Sequence, residues 1–384
     1  MQGDLVYDIH HSRVCGEENT YCGHPHQDGI INFGDNEIAV LHKHAPCTYT
    51  HPLDVGHGVV HVRAKVVMNR SLDGGDTWHE GHSVIWDESA PYDERMAFVH
   101  SSGPRPEIDL SSPDAAVYFV RTRRHEEENE QNMETFAIRS ADRGHTWEKY
   151  PTVVRPPYGL EDHEFRKNGF PPVRLDDGFN VAAFGLDATQ TLLYGSGDQG
   201  VTWDYLCQVP GDTPESGGMA YPGLVKTADG RLLLFSVNLG GFRHCLQVAE
   251  SVDGYSWSAQ RPIVRLGASP WLSRPIVPQS RYQLQGRVYY RSPWPVLLRD
   301  GRIIVLFGRR KPPHGIGLIV SEDNGRTWSR EEVLRSDAPS SDMGYPVATE
   351  LEDGRIFTAY YYNDEPGGAL GGPRYIAGTH FKLK

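Results

Sequence analysis

Short apolar runs framed by polar residues and turn formers recur along the whole chain. Examples are Glu37-Ile-Ala-Val-Leu41, Val117-Tyr-Phe-Val120, Arg231-Leu-Leu-Leu-Phe235 and Arg302-Ile-Ile-Val-Leu306. Runs of this length, rich in β-branched and aromatic residues, predict β-strands, and the D-G pairs before them predict tight hairpins. The expected fold is all-β with almost no helix.

Two repeats organise these strands. The pattern S-x-D-x-G-x-[TS]-W occurs at Ser71 to Trp78, Ser140 to Trp147, Ser196 to Trp203 and Ser321 to Trp328, with a copy one residue shorter at Ser251 to Trp257. Successive tryptophans lie 69, 56, 54 and 71 residues apart, room for about four short strands per unit. Within the pattern, Ser and Asp close a turn onto backbone N–H groups, Gly permits positive φ, and Trp is placed to pack between units. A second repeat runs from an X-Pro step to a turn. It appears as Tyr221-Pro222 to Gly230, Ser292-Pro293 to Gly301 and Tyr345-Pro346 to Gly354, with looser copies from His24-Pro25, Arg105-Pro106 and Phe170-Pro171. Six such units predict a single domain over residues 1–384, a six-bladed β-propeller of four-stranded antiparallel blades. Only five Ser/Asp turns exist, so the last blade is expected to borrow its fourth strand from Leu5 to Ile9, which closes the ring and hides both edges. The acidic run Glu126 to Gln131 reads as a solvated hairpin insert in blade two.

Composition narrows the partners. With 38 basic and 50 acidic side chains the net charge is −12, without a basic block, which argues against nucleic acid and anionic membrane as partners. No apolar stretch approaches the roughly 18 residues a membrane span needs. Met1 to His10 shows neither a basic nor an apolar leader segment, so a cytoplasmic protein is expected, or a secreted or periplasmic one whose leader was removed. The five cysteines form no C-x-x-C pair and are expected to be free thiols; no metal site or cofactor is expected.

The Ser/Asp turns are Asp-boxes, also termed BNR repeats, and with six blades the chain resembles the sialidase superfamily over essentially its whole length. The resemblance implies a carbohydrate-active enzyme with a Tyr nucleophile opening the sixth blade, a position matched by Gly344-Tyr345-Pro346. Other family positions are rebuilt. The first-blade Arg-Ile-Pro motif reads Gly23-His24-Pro25-His26, and the loop expected to carry the Asp acid reads His57-Gly-Val-Val-His61-Val-Arg63. The two remaining carboxylate-binding Arg positions fall at Ser236-Val-Asn238 and at His314, so the Arg triad is not recognisable. The Glu that activates the Tyr is replaced near Ala220-Tyr221.

In a propeller the starts of the first strands and the ends of the second converge on one mouth. The catalytic candidates there are Tyr345, Glu107, His24, His26 and His61, and the substrate-binding candidates are Arg105, His42, His44, Arg63, Asn168, Tyr221, Arg291, Trp294, Arg309 and His314. Half of the 18 histidines fall in the first 61 residues, supplying proton shuttles near neutral pH. Guanidinium groups suit an acidic sugar, and aromatic faces suit stacking. The expected activity is hydrolysis of a terminal, acidic sugar from a glycan, with Tyr345 as nucleophile, Glu107 as its base and a histidine as acid. A polysaccharide lyase acting beside a uronate carboxylate and a non-catalytic glycan- or protein-binding propeller are the alternatives.

Overall fold

The computed structural model describes residues 5–55, 62–124, 133–161, 163, 165–167, 171–186, 190–211, 218–238, 244–265, 289–365 and 372–384. After β1 (Val6–Cys15) the first blade holds β2 (Thr20–Gly23), α1 (Pro25–Asp28), β3 (Ile30–Gly34), β4 (Glu37–Pro46), β5 (Lys65–Ser71) and β6 (Ser83–Asp87). A helix, α2 (Tyr92–Val99), leads to the second blade, made of β7 (Ala116–Arg123), β8 (Met133–Ser140) and β9 (Thr152–Val154). The third contains β10 (Phe165–Lys167), β11 (Val173–Arg174), β12 (Asn180–Leu186), β13 (Gln190–Ser196) and β14 (Asp204–Gln208). The fourth is β15 (Ala220–Lys226), β16 (Leu232–Asn238), β17 (Cys245–Ser251) and β18 (Arg261–Arg265). The fifth is β19 (Tyr290–Leu297), β20 (Ile303–Arg309), β21 (His314–Ser321) and β22 (Glu332–Ala338), and the sixth β23 (Gly344–Glu350), β24 (Ile356–Tyr362) and β25 (Tyr375–Leu383).

These are the six antiparallel sheets of a β-propeller. The last has the order β1-β25-β24-β23, so the N-terminal strand does complete the sixth blade. It runs further than expected, from Val6 opposite Leu383 to Cys15 opposite Ile376.

The Ser/Asp turns have the chemistry their sequence implies. Ser71 Oγ donates to Asp73 Oδ1 at 2.7 Å and accepts from the Gly75 amide at 2.8 Å, while Asp73 Oδ1 accepts from the Thr77 amide at 2.8 Å. The same network recurs at Ser140, Ser196 and Ser321. Three of the tryptophans are then aimed at a ring of the neighbouring blade. Trp203 of blade three meets Phe119 of blade two at 5.0 Å between ring centres, Trp328 of blade five meets Phe235 of blade four at 5.4 Å, and Trp78 of blade one meets Phe357 of blade six at 5.5 Å.

The X-Pro steps mark a second feature. Register slips between Ala220 and Gly223, between Arg291 and Trp294, and between Gly344 and Val347. A proline cannot donate to the ladder, and the residue before it is excluded from the right-handed helical region. Tyr221, Ser292 and Tyr345 adopt instead the left-handed conformation, with φ of 59, 53 and 55°, and His24 does the same at 59°. Left-handed geometry in such bulky residues costs energy that surrounding packing must offset, and it concentrates at functional sites.

Blade two departs from the repeat. Residues 101–109 are not in a strand, and among the described residues this blade has three strands. Arg105-Pro106 therefore does not open an inner strand. Its arginine is tied to the Glu148 carboxylate and the Val201 carbonyl, which holds the segment beside the Ser/Asp turns. In blade one the inner strand is split: β2 and β3 both pair with β4, and α1 bulges out between them. The acidic run Glu126 to Gln131 lies outside the described residues.

His244 fastens blade four to blade five. Its Nδ1 donates to the Asn238 carbonyl at 2.8 Å, and Nε2 accepts from the amides of Tyr289 and Tyr290, both at 3.0 Å. Burial pulls its pKa down to about 4, against the opposing pull of the Asn238 carbonyl. An unfolded histidine takes its proton near pH 6.5, so between that pH and about 4 the unfolded chain binds more protons than the folded one. Stability therefore falls as pH drops through this window, by up to roughly 3 kcal/mol from this residue. Urea unfolding at pH 7.5 and 4.5 should show a smaller difference in His244→Gln than in the parent; equal differences would dismiss the assignment.

Candidate functional site

Three of the four left-handed residues bring their rings together. His24 of blade one lies 5.1 Å from the Tyr345 ring of blade six, and the Tyr221 ring of blade four lies 5.5 Å from it. His26, on α1, meets Tyr221, Trp294 and Tyr345 edge-on at 6.1, 5.6 and 6.3 Å. Tyr361, near the end of β24, lies 5.7 Å from Tyr345 and 5.4 Å from His24. Their backbones come from blades far apart in sequence, and the bulges turn them toward one another.

Two cations serve this cluster. Arg291 donates through Nη2 to the Tyr345 hydroxyl at 3.4 Å and lies 4.6 Å over the Tyr221 ring. Arg310 sits 5.6 Å from the Tyr345 ring centre and donates to the Tyr361 hydroxyl at 3.2 Å. Nε of both arginines is buried without a hydrogen-bond partner among the described residues. A buried guanidinium N–H left unsatisfied is costly and suits an anionic ligand.

The phenols respond to these charges. Burial pushes the Tyr345 hydroxyl up, but Arg291 and Arg310 together outweigh it and bring it below the ordinary tyrosine value. Burial drives Tyr221 the other way, well above that value, despite Arg291. Their oxygens are 3.1 Å apart. The consistent assignment has the Tyr221 hydroxyl donating to the Tyr345 oxygen, the group that gives up its proton first. Behind them, Asp342 accepts from the Tyr361 hydroxyl at 2.8 Å and from Arg374 Nη2 at 2.7 Å, so one carboxylate orients both the tyrosine and a fully buried arginine.

Of the expected site residues, the structure gathers Tyr345, Tyr221, Arg291, Trp294, His24 and His26. Trp294 is buried, with its Nε1 donating to the Ala348 carbonyl at 3.0 Å. Others are elsewhere. Glu107 is exposed and lies with Arg105 in a surface cleft lined by Asp198, Gln199 and Val201, so neither is near Tyr345. The third strand of a blade leads away from the mouth into its Ser/Asp turn, which puts this cleft on the opposite face. Arg309 is paired with Glu331 at 2.5 Å and bonded to the Tyr289 hydroxyl at 3.1 Å. His42 is turned to Cys15 and Asn69, His44 packs on His82 at 4.7 Å, and Arg63 is exposed. His314 is half-buried at the start of β21, opposite Ala338. His61 and Asn168 lie outside the described residues.

Sequence reasoning missed Asp342 and Arg374. Asp342 carries a weak signal, being the acid three positions before Tyr345; Arg374 has none, because its partner is 32 residues away.

The architecture has solved counterparts. A protein of unknown function from Dyadobacter fermentans superimposes with a TM-score of 0.68 at 20% identity, covering 99% of both chains. A Hadza microbial sialidase gives 0.59 at 14% identity, and a mutant of Trypanosoma rangeli sialidase 0.60 at 13%. The propeller has the sialidase-type fold. It covers 95 and 98% of itself in the two sialidase superpositions and spans 65 and 59% of those longer chains. No family model matches the sequence, and no curated protein matches it. In this sialidase-type propeller the identities are low enough that the likeness carries the fold and leaves the chemistry to the tyrosine cluster itself.

Proposed function

We propose that this propeller is a glycoside hydrolase acting on a terminal acidic sugar at the Tyr345 cluster. The observation that carries the reading is a buried phenol whose proton is loosened by two guanidinium groups and whose oxygen accepts from a second tyrosine. Arg291 and Arg310 hold the carboxylate of the sugar and ease the loss of the Tyr345 proton. The Tyr345 oxygen attacks the anomeric carbon, or stabilises its positive charge, as the bond to the leaving group breaks and the phenolic proton passes to a first-blade imidazole. A first-blade imidazole, His24 being the one packed closest on Tyr345, protonates the departing oxygen, and water then releases the sugar. Glu107 has no part in this scheme, since it lies exposed in the cleft beside the Ser/Asp turns, away from Tyr345.

Aryl glycosides of acidic and neutral sugars test the reading. Activity is expected on acidic members alone, with simple α-sialosides turned over poorly because Gly23 stands in place of the first carboxylate-gripping arginine. Arg291→Met should raise KM for an acidic substrate about tenfold or more, the scale of one charge-assisted hydrogen bond. Equal rates on acidic and neutral sugars would overturn the assignment of the arginines.

One observation favours elimination as a second reading. Among the described residues no carboxylate hydrogen-bonds to Tyr345, and a phenol whose ionisation two arginines favour suits removal of the proton beside a uronate carboxylate. An unsaturated product absorbing in the ultraviolet, formed without consumption of water, would select the lyase.

A further inference from the structure

A second cluster joins elements that meet only when the ring closes. Cys15 ends β1, the strand that completes blade six, whereas Cys22 belongs to β2 and His42 to β4 of blade one. One donor atom from each falls within 4.8 Å of the others, with Cys22 and His42 buried and Cys15 half-buried. Cys15 Sγ is 3.2 Å from His42 Nε2, and Asn69 Oδ1 of β5 is 2.8 Å from the same nitrogen.

The surrounding hydrogen bonds fix how these atoms face. His42 Nδ1 is 3.0 Å from the Lys43 carbonyl, which only accepts, so Nδ1 carries the proton. Asn69 Nδ2 donates to the Gly81 carbonyl at 3.2 Å, so its amide oxygen is the atom turned to His42. Where Nε2 carries no hydrogen, its lone pair then faces an oxygen lone pair inside a buried site, which is repulsive unless a cation lies between them. An imidazole with one N–H tied to a carbonyl and the other nitrogen carrying no hydrogen is the form in which histidine ligates metals.

We propose that Cys15 Sγ, Cys22 Sγ, His42 Nε2 and Asn69 Oδ1 bind one thiophilic divalent cation of the zinc type, which clasps the closing strand of blade six to blade one. Ligands about 2.0–2.3 Å from a tetrahedral ion stand about 3.4–3.8 Å apart. The spacings at Nε2 therefore need to open by well under about 1 Å to admit the ion. Both thiols release a proton on binding, and the two thiolates balance the charge of the ion.

The test is titration of Co2+ into the reduced, chelator-treated full chain. One Co2+ per chain is expected, with thiolate-to-cobalt charge-transfer absorption in the near ultraviolet, displaced by Zn2+, and with a higher melting temperature in the Zn2+ form. Cys15→Ser and Cys22→Ser should each lose that absorption, and Cys207→Ser should keep it; circular dichroism without metal checks that each variant is folded. Two results would sink the proposal. One is absence of the band in the parent chain at stoichiometric Co2+, as an imidazolium facing a Cys15 thiolate would give. The other is a mass short by two hydrogens without reductant, restored in Cys15→Ser, which would mean that the two thiols form a disulfide.

Discussion

Tyr345→Phe is expected to lower turnover on the true substrate by at least about 100-fold, roughly 2.7 kcal/mol of barrier, with the melting temperature nearly unchanged. The substitution removes one oxygen and keeps a ring that packs against His24, Tyr221 and Tyr361. What is lost is the atom that accepts from Tyr221 and receives the Arg291 N–H. A phenol serving only as packing would leave turnover intact, so a fully active variant would move the chemistry to the histidines. A companion change, Tyr221→Phe, separates the roles further. It deletes the donor and leaves the nucleophile, so a smaller loss is expected.

Glu148→Gln should lower unfolding free energy by about 3–5 kcal/mol, the scale for breaking a buried ion pair on one side. Glu148 Oε2 accepts from Arg139 Nη2 at 3.0 Å and from Arg105 Nε at 3.1 Å, and Arg139 is 1% exposed. A neutral amide cannot balance two guanidinium groups, and one of them has no route to water. Because this network sits with the Ser/Asp turns on the face away from Tyr345, the folded variant should keep the kcat of the parent. Urea unfolding with activity assays below the transition reads both quantities. A loss under about 1 kcal/mol would show that the pair is solvent-screened, and a changed kcat would return Arg105 to the substrate site.

Much of the ring was legible in the sequence because its signals are local. Ser71, Asp73, Gly75 and Thr77 bond within one another, so their spacing alone encodes the turn, and the nine residues from Pro222 to Gly230 encode a strand with its hairpin. Tyr345 and Tyr221 were found because each opens such a repeat. Arg105-Pro106 shows the limit of that signal. It has the same dipeptide, yet its arginine finds a buried carboxylate 43 positions away and never enters a ladder. Likewise Arg309 and Arg310 are adjacent, and which one faces Tyr345 is decided by Glu331, whose place near Arg309 depends on how β20, β21 and β22 pair. Pairing at a distance has no local sequence mark.

Closure by β1 also sets an order of events. His11 and Thr379 share a hydrogen bond although 368 positions separate them. Sheets four and five are complete in consecutive sequence, whereas the sixth waits for the two most distant strands to find each other. Loop-closure entropy predicts that encounter to be the slow step of folding, during which β25 would offer an unpaired edge to other chains. A circular permutant that joins the present ends and opens the Asp300-Gly301 turn would make that sheet local, and it should shift the late step from the sixth blade to the fifth.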